Sequence, residues 1–366
     1  MKTSAARLLL PLTLSLAAAS AQETTGTATA APDSNQNHTM QTNGTKPALV
    51  IHGGAGTIDR SKMTPEKEKA HREGLENALR IGWDILRRGG TALDATEAVV
   101  RTMEDNPLFN AGRGAVFTSS GTNEMDASTM EGKTMRAGAV ANLQHVKNPI
   151  LLARKLLDKA ERPPGSDPRS GPVLMVGEGA EAFAKQNGIE LVDAKYFFTQ
   201  ERWDSLQRVK QKEQTEGGHG ETRHVISDYD RHGTVGAVAL DRDGNLAAST
   251  STGGMTNKTP GRLGDSPIIG AGTYAKNATC AVSCTGDGEY FIRAAVAKTV
   301  SDLIEFRGMS LQQAAEEALK RAHDLGGEGG LIAIDKNGNH ALPFNSSGMY
   351  RGYIDSDGKA VVDIYK

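Results

Sequence analysis

From Pro47 onward the chain alternates short apolar runs with longer amphipathic stretches. Ala48-Leu49-Val50-Ile51 is a short apolar strand, and His52-Gly53-Gly54-Ala55-Gly56 is expected to be its turn. Thr64-Pro65-Glu66 marks a helix start, with proline at the first helical position. That helix should run to Arg88 and stop at Gly89-Gly90. A second helix begins near Ala92 and carries Ala92, Ala95, Val99 and Met103 at helical spacing. It should end before Asn106-Pro107, because the residue before proline disfavours helical backbone. Residues 107–145 mix Gly, Ser and Thr with Met, Val and Phe, a pattern of short strands and tight turns. A helix over Pro149–Ala160 and a strand at Leu174–Val176 follow.

Residues 205–232 are dominated by Lys, Gln, Glu, Gly and His and show no apolar periodicity, so they are expected to form an exposed, mobile linker. The linker stops at Thr234, where Val235-Gly236-Ala237-Val238-Ala239-Leu240 begins a strand. A compact domain seldom carries so long a structureless stretch without purpose. Asp241-Arg242-Asp243-Gly244-Asn245 then reads as a hairpin loop with Gly244 at its left-handed position, followed by a strand over Leu246–Thr252. Helices at Glu289–Phe306 and Ser310–Ala322 and strands at Leu331–Ile334 and His340–Phe344 complete the pattern, and no internal repeat is present. Blocks of helices between hairpins describe packed sheets with helices outside, antiparallel rather than doubly wound.

Composition adds bounds. The chain has 366 residues, 38% apolar and 23% charged, with a formal net charge of -2. This is a soluble globular composition with no charge excess to attract nucleic acid or an anionic membrane. Two cysteines, Cys280 and Cys284, sit four apart in a strand-like run. Four strand residues span roughly 13 Å, beyond disulfide reach, so both are expected to be free and buried. No His or Cys pair lies near them at metal-ligand spacing. At the N-terminus, Lys2 and Arg7 precede the apolar run Leu8–Ala19 and the small residues Ala19-Ser20-Ala21. This predicts a secretory signal at residues 1–21, cut after Ala21, and a periplasmic or secreted product. Residues 22–46 lack large apolar side chains and are expected to be a flexible leader.

The candidate chemistry gathers around Thr234. In a three-residue loop closed by Asp241 and Asn245, the numbers of opposed residues sum to 486, which sets Thr234 against Thr252. Opposed residues share a face of the sheet. A two-residue turn would slip the register and put Thr252 on the other face. A threonine hydroxyl is a poor nucleophile unless a base takes its proton. A threonine at a chain terminus carries that base, since an α-amino group titrates near roughly 7.7–8.0. Making that terminus requires cutting Gly233–Thr234, and Gly233 is expected to let the scissile carbonyl adopt a strained conformation. In Gly261-Arg262-Leu263-Gly264-Asp265-Ser266-Pro267, Arg262 is placed to fork onto a substrate α-carboxylate and Asp265 to hold an α-ammonium. A simple ion pair is the alternative there. Backbone N–H groups of Thr285-Gly286-Asp287-Gly288 and the Thr285 hydroxyl suit the oxyanion of amide hydrolysis, and a plain strand–helix turn is the alternative.

Five segments together resemble the plant-type L-asparaginase/isoaspartyl peptidase family: Ile51–Gly56, Asn106–Gly112, His232–Gly236, Thr250–Met255 and Gly261–Pro267. The likeness covers about residues 47–366. It implies an α+β fold, a four-layer αββα sandwich of the N-terminal-nucleophile hydrolase type. It implies a precursor split into an α subunit, 47–233, and a β subunit, 234–366, forming one catalytic domain and assembling as a dimer of αβ pairs. By resemblance Thr234 is the nucleophile, Thr252 its hydroxyl helper, and Thr285 with Gly286 the oxyanion hole. Arg262 and Asp265 anchor the substrate with Gly286 and Gly288 nearby, and Asn110 supports the nucleophile region. The substrate would be asparagine or a β-aspartyl dipeptide, with no cofactor for the chemistry. The loop Met103–Arg113 resembles the family's sodium loop, with main-chain carbonyls of Met103, Glu104, Asn106, Phe109, Ala111 and Arg113 as ligands.

Three rival readings fit parts of the same pattern. Glycosylasparaginase shares fold and nucleophile and fits a secreted protein, but typically has Asp where this chain has Gly233. A serine esterase, suggested by His52-Gly53-Gly54, needs a Gly-x-Ser-x-Gly pentad that the chain lacks. A periplasmic amino-acid-binding protein would keep Arg262 and Asp265 but need no threonine at 234.

Overall fold

A computed structural model describes residues 45–366 other than 57, 59, 161–170, 216–232 and 355–356. The expected signal sequence, the leader up to residue 44 and the linker from residue 216 lie outside the described residues. In chain order the first half gives β1 (Ala48–Gly56), α1 (Pro65–Arg87), α2 (Ala92–Glu104), β2 (Met125–Glu131), β3 (Ala137–Leu143) and α3 (Pro149–Ala160). Next come β4 (Leu174–Val176), α4 (Gly177–Gln186) and α5 (Gln200–Thr215). The second half gives β5 (Val235–Leu240), β6 (Leu246–Thr252), β7 (Thr273–Ala275), β8 (Cys280–Gly286), α6 (Gly288–Ala294), α7 (Val296–Arg307) and α8 (Leu311–Asp324). Four strands end the chain: β9 (Gly329–Asp335), β10 (His340–Ala341), β11 (Gly348–Ile354) and β12 (Ala360–Tyr365).

The strands form an eight-stranded sheet, β12-β11-β1-β5-β6-β2-β3-β4, and a four-stranded sheet, β10-β9-β8-β7. Every strand pair is antiparallel except β3 with β4. The two-residue alternation of the central strands makes the layers. On β1 and β5, Leu49, Ile51, Val235, Ala237 and Ala239 pack with α1, α2 and α3. Ala48, Val50, Val238 and Leu240 face the other way, onto the smaller sheet, whose own far side carries α7 and α8. This is the expected four-layer αββα sandwich. The same parity puts His52, Thr234, Gly236, Thr250 and Thr252 between the two sheets.

Local signals act as read. Thr64 accepts the Lys67 N–H at 3.3 Å and caps α1. The β5–β6 loop closes with Asp241 N–H donating to Asn245 O at 3.0 Å, and Gly244 takes φ +77°. Cys280 and Cys284 are free and buried, and burial pushes the Cys280 thiol up to about 12.

Four expectations need correction. Residues 205–215 are not linker but the end of α5, where Leu206 and Val209 bury a narrow apolar edge and Trp203 meets Phe117 edge-on at 5.3 Å. Gln, Lys, Glu and Arg are good helix formers, so a thin contact suffices. His52–Gly56 is not a turn; β1 continues through it past a bulge between His52 and Gly54, with Gly54 at φ +114°. The helix expected over Glu289–Phe306 breaks at Ala295, which adopts φ 45° and separates α6 from α7. The strand expected over His340–Phe344 is continuous only at His340–Ala341, with an isolated bridge from Phe344 to Gly330 beyond it.

Gly236 is sterically forced. A Cβ there would run into the Ser283 hydroxyl and the His52 ring. Gly236→Ala is expected to lose about 2 kcal/mol or more by overpacking, or to fail to fold. Gly179→Ala, on the open side of α4 with nothing within 4 Å, should be neutral or stabilise by up to about 1 kcal/mol. Chemical denaturation of both variants checks the contrast; equal effects would contradict it.

Candidate active site

Val235 opposes Ser251, Gly236 opposes Thr250, and the pairing continues to Leu240 against Leu246, each summing to 486. One step beyond, Thr234 and Thr252 meet as expected, with Thr234 Oγ1 donating to Thr252 Oγ1 at 3.1 Å. Both are buried. Thr252 Oγ1 accepts the Gly254 N–H at 2.9 Å and donates to the Gly233 carbonyl at 3.1 Å. Asn110 Nδ2 donates to the same carbonyl at 2.8 Å and to Gly254 O at 2.7 Å. Asn110 Oδ1 accepts the Val116 N–H at 3.0 Å, which fixes the orientation of the amide. The carbonyl immediately before Thr234 therefore sits between two donors, the arrangement that stabilises negative charge developing on an oxygen.

Gly233 has a reason other than the one expected. Its φ is not in the left-handed region. A Cβ at this position would lie 2.9 Å from Asn110 Cβ, so a side chain would push Asn110 off the carbonyl.

The second sheet closes the site from the other side. Thr285 is fully buried, and its Oγ1 accepts the Ala55 N–H at 3.1 Å, leaving its proton to donate. Gly286, at φ +141°, lines the cleft beside Thr234 together with Thr252, Gly254, Arg262 and Asp265. Thr285 stands one residue behind this lining. The cleft holds about 10 Å3 in the uncut chain, of the order needed for one water.

Arg262 and Asp265 are both brought to the cleft, but differently from expectation. The Arg262 guanidinium is already forked onto Glu289, with Nε to Oε1 at 2.9 Å and Nη2 to Oε2 at 2.8 Å. Asp265 is buried, its Oδ2 has no hydrogen-bond partner among the described residues, and desolvation raises its carboxyl to about 6. An unpartnered buried acceptor in a cleft is costly unless something completes it. Gly288 packs on it: a Cβ there would sit 2.8 Å from the Asp265 nitrogen.

The loop from Met103 to Arg113 curls back on itself at Gly112, whose φ of +51° lets it lie against the Glu104 carbonyl. The carbonyls of Met103, Asn106, Phe109 and Ala111 each accept a backbone N–H. Those of Asn106, Phe109 and Ala111 retain a second lone pair, so they are compatible with a small monovalent cation; that of Met103 also accepts the Asp105 N–H. Among the described residues no group of three or more His, Cys, Asp or Glu side chains forms a metal site. The Glu104 side chain points elsewhere, accepting from Ser251 Oγ at 2.6 Å and from the Ile150 N–H at 3.0 Å, and burial raises its carboxyl to about 8.

One contact was not anticipated. His52 Nδ1 lies 3.0 Å from the Thr234 carbonyl oxygen and Nε2 lies 2.9 Å from Ser283 Oγ. Complete burial lowers the imidazole to about 3, so it is neutral. The signal was in the alternation: His52 follows Ala48 and Val50 on the inter-sheet face, and it opposes Gly236. Reading His52-Gly53-Gly54 as a turn hid that parity.

A family model described as "Asparaginase" matches residues 45–364. The isoaspartyl peptidase of Escherichia coli K12 is 46% identical over 322 residues, covering 88% of this chain and 97% of that protein. The plant-type L-asparaginase of Pyrococcus furiosus is 42% identical, covering 84% and 96%. The probable isoaspartyl peptidase/L-asparaginase 2 of Arabidopsis thaliana is 40% identical, covering 87% and 99%. Matched almost end to end over its described residues, the chain belongs to this asparaginase family.

Proposed function

We propose that the chain is an amidohydrolase that activates itself by cutting Gly233–Thr234 and then hydrolyses the β-aspartyl amide of asparagine or isoaspartyl dipeptides. The observation that carries the reading is the Gly233 carbonyl, held by Asn110 and Thr252 while the Thr234 hydroxyl donates to Thr252. In the first reaction Thr234 Oγ bonds to the Gly233 carbonyl carbon, the peptide C–N bond breaks, and the nitrogen takes the hydroxyl proton to become an amine. Water then hydrolyses the resulting ester. In the second, that amine takes the hydroxyl proton while Oγ attacks the substrate's side-chain carbonyl. The leaving amine departs with a proton, and a second water releases aspartate. Thr285 and the Gly286 N–H would hold the oxyanion from the side opposite Asn110.

Asp265 suits the substrate's α-ammonium, because its Oδ2 lacks a partner. Arg262 would give its remaining donors to the α-carboxylate while Glu289 keeps the guanidinium in place. The names of the relatives cover both substrates, and both offer the same aspartyl half. Gly233 favours this branch over glycosylasparaginase, since a side chain there meets Asn110. The 103–113 carbonyls would hold a sodium ion, a structural role that stiffens the loop carrying Asn110. From the sequence alone we further propose secretion or a periplasmic location, and a dimer of αβ pairs.

Purified protein is expected to run as two fragments on a denaturing gel, the smaller beginning Thr-Val-Gly-Ala at Thr234. Thr234→Ala should stay a single chain and lose about 10⁴-fold or more of activity. A fully active wild type that is never cut would sink the reading.

The raised Asp265 carboxyl has a pH consequence. It is ionised above about 6 and neutral below, and only the ionised form attracts an ammonium. The inhibition constant of L-aspartate should therefore be flat above about 6 and rise about tenfold per pH unit below it. Asp265→Asn should bind weakly and without this bend; an unchanged bend in that variant would assign the titration elsewhere.

A further inference from the structure

Four directly opposed positions form a row across the large sheet. His52 opposes Gly236, Gly236 opposes Thr250, and Thr250 opposes Ser128. Across the gap, Thr273 opposes Ser283 on the smaller sheet. All five polar members of this layer are fully buried. They touch in sequence: His52 Nε2 to Ser283 Oγ at 2.9 Å, Ser283 to Thr250 at 2.7 Å, Thr250 to Thr273 at 2.6 Å, and Thr273 to Ser128 at 2.8 Å. Ser128 Oγ also lies 2.6 Å from the carbonyl of Ser266, the residue after Asp265. At the other end His52 Nδ1 reaches the Thr234 carbonyl.

From His52 to Thr273 the protons have one consistent direction; the single Ser128 hydroxyl proton beyond it is shared between the Ser266 carbonyl and Thr273. A carbonyl can only accept, so Nδ1 carries the hydrogen and Nε2 accepts from Ser283. Ser283 then accepts from Thr250, and Thr250 from Thr273. Bonds aligned head to tail in a dry interior strengthen one another. An apolar layer here would leave the Thr234 carbonyl and the imidazole unpaired, which is costly when buried.

We infer that His52, oriented through Ser283 and Thr250, is a positioning residue that holds the main chain of Thr234 in attack geometry once the bond to Gly233 is cut. The inference rests on Thr234 being the nucleophile. In the uncut chain Gly233 tethers Thr234, and its carbonyl is pinned by Asn110 and Thr252. Cutting removes both tethers, and a new terminus frays unless tied down. The sheet ladder starts only at Val235. The bond to Thr252 still holds the hydroxyl, but on the main chain of the residue that must attack it is the hydrogen bond from His52 that remains. It also spans the cut, because His52 lies before Gly233 while Ser283 and Thr234 lie after it. The same stretch of β1 supplies the Ala55 N–H to Thr285. The fragment upstream of the cut thereby orients both the nucleophile and the hydroxyl facing it.

The test uses the full chain as wild type, His52→Leu, His52→Asn and Ser283→Ala. Asparagine keeps an N–H near the place of Nδ1, and leucine does not. Processing half-time is followed on a denaturing gel. Then kcat and KM are measured per processed chain, with the thermal midpoint alongside. His52→Leu is expected to lose roughly 10- to 100-fold in kcat, with processing slowed less, because Gly233 still tethers Thr234 before the cut. KM should stay within about twofold, because the substrate anchors are untouched. His52→Asn should recover most of the loss, and Ser283→Ala should fall between the two. A leucine variant within about threefold of wild-type kcat overturns the inference. So does an asparagine variant no better than leucine, or a loss that appears in KM instead of kcat. If the leucine variant does not fold, Ser283→Ala decides: a lowered kcat at constant KM supports the inference, and an unchanged kcat overturns it. A wild type that is never cut sinks the nucleophile reading, and this inference with it. A cut, active wild type indifferent to His52 sinks only this inference.

Discussion

The register of one hairpin governs the site. The Asp241 N–H to Asn245 O bond closes a three-residue loop and sets every opposed pair from Leu240–Leu246 to Val235–Ser251. Strand side chains alternate faces, so a one-residue slip would exchange Thr252 for Ser251. Ser251 belongs to the helix side, where its hydroxyl bonds Glu104. The slip would leave Thr234 without its hydroxyl neighbour and the Gly233 carbonyl without one of its two donors. Gly244 at φ +77° is the small residue on which that closure turns.

Because the hydroxyls at this end of the sandwich face a second sheet rather than water, each polar group needs a protein partner. Most have one. His52 has two, and being neutral it adds no buried charge. Asn110 spends both amide hydrogens and its oxygen. Asp265 is the exception beside Thr234, and its raised carboxyl expresses the same deficit electrostatically. A largely saturated framework with an unsatisfied acceptor lining the cleft is what a site for a cationic group requires: rigidity around the place where the ligand completes the network.

Much of this was legible in the sequence, and the gaps have physical causes. The Thr234–Thr252 pairing followed from parity and one turn type, because strand geometry is local and periodic. The buried, free cysteines followed from strand spacing. The Arg262–Glu289 fork was missed because it joins a loop to a helix 27 residues away, and no local periodicity encodes that distance. Residues 205–215 look like linker because their buried face is thin, and helix propensity rather than amphipathicity carries α5. Gly233 was assigned to backbone freedom, whereas a neighbour's Cβ excludes any side chain. His52 was lost to a mistaken turn: two consecutive glycines usually end a strand, but here a bulge absorbs them and the face continues.

On the proposed reading, Thr234 faces two carbonyls in succession, and the fold keeps their stabilising groups apart. The scissile carbonyl of Gly233 is bound by Asn110 and Thr252, at the ends of the 103–113 loop and of β6. The substrate carbonyl would meet Thr285 and Gly286, at the end of β8 in the other sheet. Separation matters because the uncut cleft holds about 10 Å3, too little for an amino acid. While Gly233 is in place the second reaction cannot begin, so the first must be able to proceed without the groups that serve the second. The nucleophile is the one element common to both, and the only part of it that changes is its nitrogen, an amide before the cut and a basic amine after. A fold that fixes the carbonyl side of Thr234 through His52 leaves its nitrogen and hydroxyl free to serve both reactions from one position.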